Sequence, residues 1–353
     1  MRWRKLGVVW KPDGQSTWAK THAAVPTPFR LNDDVIRLFV TCLDQQGRGR
    51  PVYVDVAATD PTRILGVSSE PLLDIGIPGT FDDNGLMAIS VVEPEPGILY
   101  LYYVGFEVCT HIRYRILTGL AISHDRGQTF KRQSRVPIMD RTDEELYFRC
   151  GPFVMCDEGV FKLWYVAGSE WTLNCGKPMP VYDLRYQESI DGIHWKQTGQ
   201  LSMAIANPDE HGFGRPWIVK RRQNDYQLFY SIRHRSFAAY RLGYAESEDG
   251  IHWVRKDRQL GLDVTAGGFD SDAIMYSAII SVDEKTYCFY NGNNFGEQGF
   301  GVATLLDGRG EFIVFSRKIP KNGMIFAKNL FLARFCIPGA FFHITVRDLK
   351  TIH

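Results

Sequence analysis

Apolar and polar positions alternate along this chain in short runs, broken by Gly, Pro, Asn and Asp. No stretch keeps the 3.6-residue spacing of a long helix. One apolar-aromatic run returns five times: Leu38-Phe39-Val40, Leu101-Tyr102-Tyr103-Val104, Leu163-Trp164-Tyr165-Val166, Leu228-Phe229-Tyr230-Ser231 and Cys288-Phe289-Tyr290-Asn291. Counted on Phe39, Tyr102, Trp164, Phe229 and Phe289, the intervals are 63, 62, 65 and 60 residues. A β-rich unit repeating at that length predicts an all-β five-bladed β-propeller with four-stranded antiparallel blades and an axial pocket.

The units share their parts. A turn and a first strand with polar residues at its start recur at Thr21 to Pro26, Phe81 to Gly85, Tyr147 to Pro152, Gly214 to Trp217 and Phe269 to Asp272. Hairpin signals such as Glu95-Pro96-Gly97 and Asp157-Glu158-Gly159 follow, then the aromatic strand and a third strand. Three units end in a turn: Ser123-His124-Asp125-Arg126-Gly127, Ser189-Ile190-Asp191-Gly192-Ile193-His194-Trp195 and Ser247-Glu248-Asp249-Gly250-Ile251-His252-Trp253. In these turns Asp accepts backbone N–H bonds, Gly supplies positive φ and the aromatic fills the space between blades, so their carboxylates are read as structural.

The propeller is expected over residues 1–307. Residues 308–353 form a basic, Phe-rich segment with eight Lys or Arg against Glu311 and Asp348, read as ring closure or an interaction tail. The whole chain has 41 basic and 40 acidic residues, which gives no support to a nucleic-acid or membrane-surface role. No apolar stretch approaches the roughly 20 residues that span a bilayer, and the N-terminal apolar run is too short for a signal-peptide core. The seven cysteines are scattered without metal-type spacing, as expected of reduced thiols, mostly buried, in a cytoplasmic protein. No metal or other cofactor is called for.

In an antiparallel blade the first strand starts where the second ends and the third begins. Residues at those places should meet at the mouth of the axial pocket. The rule selects His22, Asp82, Asp83, Arg149, Arg215, Asp270 and Asp272 from strand starts. It selects Arg233, His234 and Asn291, with Asp44, Glu107, Glu170 and Asn294, from second-strand ends. Third-strand starts give Arg115, Asp183 and Arg241, and Glu145 and Glu210 lie just upstream of two first strands. Glycosidic cleavage needs a carboxylic acid for the leaving oxygen and a carboxylate for the anomeric carbon or a water. Asp83 is therefore the candidate base or nucleophile, with Asp272 or Glu210 as the acid. Arg149 and Arg215 are candidates for binding hydroxyls, carboxylate or phosphate, and Trp171, Trp217 and Phe269 for stacking on a sugar.

The turn motif and the acidic strand starts resemble the five-bladed propeller superfamily of glycoside hydrolases, families 32, 43, 62, 68 and 117, and the mannoside phosphorylases of family 130. Pro26-Thr27-Pro28, Gly79 to Gly85, Arg215-Pro216-Trp217, Gly243 to Ser247 and Tyr290 to Asn293 look like bacterial glycosidase-like proteins associated with surface-polysaccharide biosynthesis. The resemblance implies an enzyme that cleaves or transfers a glycosyl group in the axial pocket by carboxylate chemistry. Its partner would be a glycan or sugar conjugate, with phosphate a second possible ligand. Two alternatives stand beside it: a phosphorylase or glycosyltransferase on the same fold, and a non-catalytic sugar-binding protein. Family 43 hydrolases carry an Asp on the first blade's inner strand, where this chain offers His22.

Overall fold

The computed structural model describes residues 1–306 apart from Cys175 and Ala238; residues 308–353, with the expectation of ring closure or an interaction tail, lie outside the described residues. Strand β1 (Trp3–Trp10) comes first. The first blade is β2 (Thr21–Arg30), β3 (Val35–Leu43), β4 (Gly49–Ala57) and β5 (Asp60–Val67). The second is β6 (Leu86–Glu95), β7 (Ile98–Val108), β8 (Tyr114–Ser123) and β9 (Lys131–Arg132). The third is β10 (Phe148–Asp157), β11 (Val160–Asn174), β12 (Lys177–Ser189) and β13 (Gln200–Met203). The fourth is β14 (Glu210–Arg222), β15 (Asp225–His234), β16 (Tyr240–Ser247) and β17 (Val254–Arg255). The fifth holds β18 (Met275–Val282), β19 (Lys285–Asn291) and β20 (Phe300–Leu305), and β1 is its fourth strand. β1 runs antiparallel to β20, from Trp3 opposite Leu305 to Trp10 opposite Phe300, so the chain's start closes the ring. The innermost strands β2, β6, β10, β14 and β18 neighbour one another in turn, with β18 returning to β2. The fold is an all-β five-bladed propeller. Its described helical residues are a 3-10 turn at Asp257–Gln259 and a short stretch at Asn293–Gly296.

The repeated dipeptide of the aromatic strand has two structural jobs. Its first aromatic reaches the glycine turn of the next blade. The Tyr102 hydroxyl donates to the Gly192 carbonyl at 2.8 Å and the Trp164 indole N–H to the Gly250 carbonyl at 2.6 Å. Phe39 lies under Gly127 and meets Phe130 edge-on. The glycines of these turns have φ of +79°, +70° and +77°, which a side chain rarely adopts, and the Asp of each turn accepts backbone N–H bonds. The three turns are thus structural.

The second aromatic is Tyr in four blades and Val40 in the first. Each tyrosine ring lies within about 6 Å of a cation: Arg132 over Tyr103, Arg149 over Tyr165, Arg255 over Tyr230 and Lys5 over Tyr290. A buried carboxylate beside the start of the innermost strand completes the clamp. Asp82 takes Arg132 at 2.8 Å and the Tyr103 hydroxyl at 3.2 Å. Glu145 takes Arg149 at 2.6 Å and the Tyr165 hydroxyl at 2.8 Å. Glu210 takes both arms of Arg255, at 2.7 and 2.8 Å, while Asp257 accepts from Tyr230 at 2.7 Å. Asp270 pairs with Lys5 of the closing strand. Two of these tyrosines lie flat against a glycine of the third strand; a Cβ at Gly119 or Gly243 would sit 2.4 Å from a ring carbon.

Other polar groups latch blade to blade. The Asn291 amide bridges the fifth and first blades, accepting from Val25 N–H at 2.6 Å and donating to the Ala23 carbonyl at 2.9 Å. Ser231 accepts from Tyr276 N–H and Ser90 from Val154 N–H. Cys42 and Cys288 are buried, whereas Cys156 is exposed, because it lies near the outer end of β10 on the face that no neighbour covers.

Replacing Arg149 by Met leaves Glu145 charged and buried with only the more distant Arg185, 3.9 Å away, a loss of up to about 3–5 kcal/mol. We expect a lower urea midpoint that Glu145→Gln in the same chain partly restores; an unchanged midpoint for Arg149→Met would refute the clamp. The turn carboxylates add a pH dependence. Burial works against the Asp249 charge, but hydrogen bonds from His252, Ile251 and Ser247 prevail and hold its pKa below the usual carboxylate range. A group with a depressed folded pKa stabilises above its unfolded value and loses that contribution as pH falls through the folded one. Asp249→Asn should therefore lower the melting temperature near neutrality. The gap should narrow below about pH 4, and one independent of pH would refute the assignment.

Candidate functional site

Each innermost strand carries one extra residue at the same place. The register slips between Ala24 and Thr27, Ala88 and Ser90, Cys150 and Phe153, Gly214 and Trp217, and Met275 and Ala278. These β-bulges present Val25, Ile89, Gly151, Arg215 and Tyr276, and all five line one axial cavity of about 280 Å³. In three of them the next residue is proline (Pro26, Pro152, Pro216), which suits a position whose N–H the ladder does not use. Val25, Arg215 and Tyr276 have φ of +55°, +32° and +59°, and so do the wall residues His22 (+63°) and Phe295 (+59°). Left-handed backbone at side chains this large, gathered around one cavity, is strain of the kind held at functional sites.

The wall above the bulges comes from second-strand ends and third-strand starts, as the strand geometry requires. The residues that face inward there are aromatic or apolar. Phe106 lines the cavity and Glu107 does not; Tyr114 and Ile116 line it and Arg115 between them does not. Tyr182 and Tyr240 line it, and their neighbours Asp183 and Arg241 do not. Glu107 and Arg115 pair with each other at 2.9 Å on the opposite face, and Asp183 binds Arg185 at 3.0 Å. The sequence rule found the correct positions with the wrong face, a one-residue error in a period-two pattern.

The cavity gathers three of the expected site residues: His22, Arg215 and Arg233. Burial, its largest influence, holds the His22 pKa below 6.5. Burial also brings Arg215 down to about 9. Arg215 donates to the carbonyls of Pro26 and Tyr276 at 2.8 and 2.9 Å, and to Thr27 Oγ1 and the Ile89 carbonyl at 2.8 and 3.2 Å, tying three other blades to its own. Its two terminal nitrogens are taken up by protein, while its buried Nε has no partner. Arg233 lies over the Tyr240 ring at 4.7 Å and near Phe295 at 5.9 Å. The hydroxyls of Tyr182 and Tyr240 meet at 3.0 Å.

The other expected residues lie elsewhere. Asp82, Arg149, Asp270 and Glu210 belong to the blade clamps. Both oxygens of Glu210 are taken by Arg255. Asp83 lies in the turn before β6, accepting from Gly79 N–H at 2.8 Å and from Asn84 at 2.6 Å. Asp272 is exposed beside Ser271, and neither of these acids is in the cavity wall. Trp217 is buried against Phe153 with its N–H on the Ile279 carbonyl, Phe269 stacks on Tyr290, and Trp171 packs between Tyr114 and Phe148, so none of the three is in the wall to stack on a sugar. His234 is bound to Asp209 at 3.0 Å, outside the wall, and Asn291 is the latch described above. Sequence reasoning missed Tyr114, Tyr182, Tyr240, Tyr276 and Phe295. For the first three the usable signal was the alternation beside Arg115, Asp183 and Arg241.

The cavity wall contains no Asp or Glu. Among the described residues no group of three or more His, Cys, Asp or Glu could hold a metal ion, and no helix is long and apolar enough to cross a membrane.

No protein-family model matches the chain. A solved glycoside hydrolase superposes with a TM-score of 0.64 at 19% identity, covering 90% of this chain and 94% of its own. A family 43 (GH43_1) enzyme from Xanthomonas citri, complexed with xylotriose, superposes with a TM-score of 0.58 at 15% identity, covering 82% of this chain and 88% of its own. The fold is therefore that of the propeller glycoside hydrolases. The uncharacterized protein Rv1502 of Mycobacterium tuberculosis is 32% identical over 307 residues, 86% of this chain and 99% of that protein. At that identity and coverage, the chain belongs to the family of the mycobacterial protein.

Proposed function

We propose that the axial cavity receives a saccharide unit and that the chain acts by recognising it. The observation that carries this reading is the set of five bulges aimed at a single cavity walled by tyrosines. Aromatic faces pack on the C–H faces of a sugar while phenol and guanidinium groups meet its oxygens. The cavity's volume is near the lower end of the range for ligand sites. The propeller enzyme from Xanthomonas citri, solved with xylotriose, supports a sugar as the class of ligand for this scaffold.

Recognition is favoured over two-carboxylate cleavage by the composition of the wall. A glycosidase pair flanks the scissile bond at separations of roughly 5–9.5 Å. The described wall offers neither an acid nor a base of that kind, and Glu210, Asp83 and Asp272 are engaged or turned outward. Tyrosine as a nucleophile needs a neighbouring base to take its proton. Here burial drives the Tyr182 and Tyr276 pKa values up, so both hydroxyls stay protonated as donors. A binding role suits the expected place in cytoplasmic steps of surface-polysaccharide assembly, where a sugar conjugate is read rather than degraded.

Calorimetry against an array of mono- and oligosaccharides should show saturable binding, and mass spectrometry should show no product after days. Turnover of any bound glycan would overturn the recognition reading. Met87→Trp places an indole in the cavity mouth; it should abolish binding with the urea midpoint nearly unchanged. Binding that survives this change would move the site off the axis.

A further inference from the structure

We infer that the ligand of the axial cavity carries an oxyanion, a carboxylate or a phosphate on the sugar, and that Arg233 holds it. The inference rests on the saccharide reading above and names the class of saccharide.

Arg233 stands at the inner end of β15, opposite Gly212 on one side and Tyr240 on the other. Its Nη1 is buried and has no hydrogen-bond partner. Among the described residues no carboxylate is within ion-pair distance of it. Arg149, Arg255 and Arg215 each have acceptors on at least two nitrogens, although Arg215 Nε, like Arg233 Nη1, is buried without a partner. Arg149 has Glu145, Arg255 has Glu210 and Asp257, and Arg215 has its four acceptors on neighbouring blades. A guanidinium among aromatic rings with an open N–H is costly unless an acceptor arrives. Its planar fork matches two oxygens of a carboxylate or phosphate.

The surroundings fit the same ligand. Tyr114, Tyr182, Tyr240 and Tyr276 line the cavity, and each acts electrostatically on the Arg233 guanidinium. Burial raises the Tyr114 pKa as it raises those of Tyr182 and Tyr276, so the ring of hydroxyls can donate to an anion. No wall carboxylate competes for the guanidinium or repels the ligand.

The test uses the full chain and matched probes: glucuronate with glucose, galacturonate with galactose, and glucose 6-phosphate. Binding is followed by calorimetry at low and raised salt. We expect the charged member of at least one pair to bind about tenfold or more tighter than its neutral partner, with an advantage that shrinks as salt rises. Preference for the uronates assigns the oxyanion as carboxylate, and preference for the sugar phosphate assigns it as phosphate. Arg233→Met should abolish the charge preference, and Arg233→Lys should keep part of it. The free Arg233→Met protein should melt at or above the wild-type temperature, because an unpaired buried charge has been removed; a structural arginine would give a lower one. Equal binding of charged and neutral sugars would overturn the anion and leave the saccharide site standing. Binding of neither would overturn both.

Discussion

The bulge in each innermost strand is the constraint on which the axial site depends. In a regular strand successive side chains point to opposite faces of the sheet, and in a propeller both faces are covered by neighbouring blades. The free edge of the innermost strand faces the axis, where a regular strand has no side chain to offer. An extra residue breaks the alternation and swings one side chain toward that edge. Val25, Ile89, Gly151, Arg215 and Tyr276 are the five residues so displaced, and the cavity is built on them. The left-handed backbone at four of the five, Val25, Gly151, Arg215 and Tyr276, follows from the same displacement. Neighbouring latches hold it in place: Asn291 takes the Val25 N–H, and Ser231 takes the Tyr276 N–H.

A separation of charge follows. The acids that begin the blades are drawn into clamps with Arg132, Arg149, Arg255 and Lys5, where each neutralises a cation and orders the start of an innermost strand. None of their carboxylates reaches the axis. The cations at the axis are Arg215, whose terminal nitrogens donate to backbone carbonyls and Thr27 while its Nε is unpartnered, and Arg233, whose buried Nη1 has no protein acceptor. The described lining of this hub carries two arginines and no Asp or Glu. The same fold recurs in a glycoside hydrolase at 19% identity.

The propeller was legible because its signal is repeated. The Phe39, Tyr102, Trp164, Phe229 and Phe289 echo reports a contact made in every blade, and the Ser-x-Asp-Gly turns report the latch that receives it in three. The site was legible by position and not by side chain. The rule that strand starts and ends converge on the axis holds for wall residues such as His22, Phe106, Tyr114, Arg233 and Tyr240, whereas Val166 and Tyr182 lie within strands and Phe295 outside them. It was applied to charged residues, and charge near a strand end draws the eye to the face that packs against salt-bridge partners. Asp183, Arg241 and Arg115 are each one residue from a tyrosine that lines the cavity. The clamps were not legible, since nothing local in Asp82 or Glu210 shows that Arg132 or Arg255, about 50 and 45 residues away, will claim it. The proline after the bulge in three blades was a local signal for the axis.

The arrangement also explains how an unpaired cation is tolerated. Its cost falls on one blade, whereas the clamps and latches that stabilise the ring are distributed over several, with Arg215 acting across the axis and Asn291 between neighbouring blades. A protein whose stability resides in its blade faces can hold a destabilised group at its hub without losing the fold. Arg233 occupies a place where packing alone would favour an apolar side chain, beside Tyr240 and Phe295. Its retained charge makes sense as recognition: the stability forgone in the free protein is returned when an acceptor enters and the open N–H is filled.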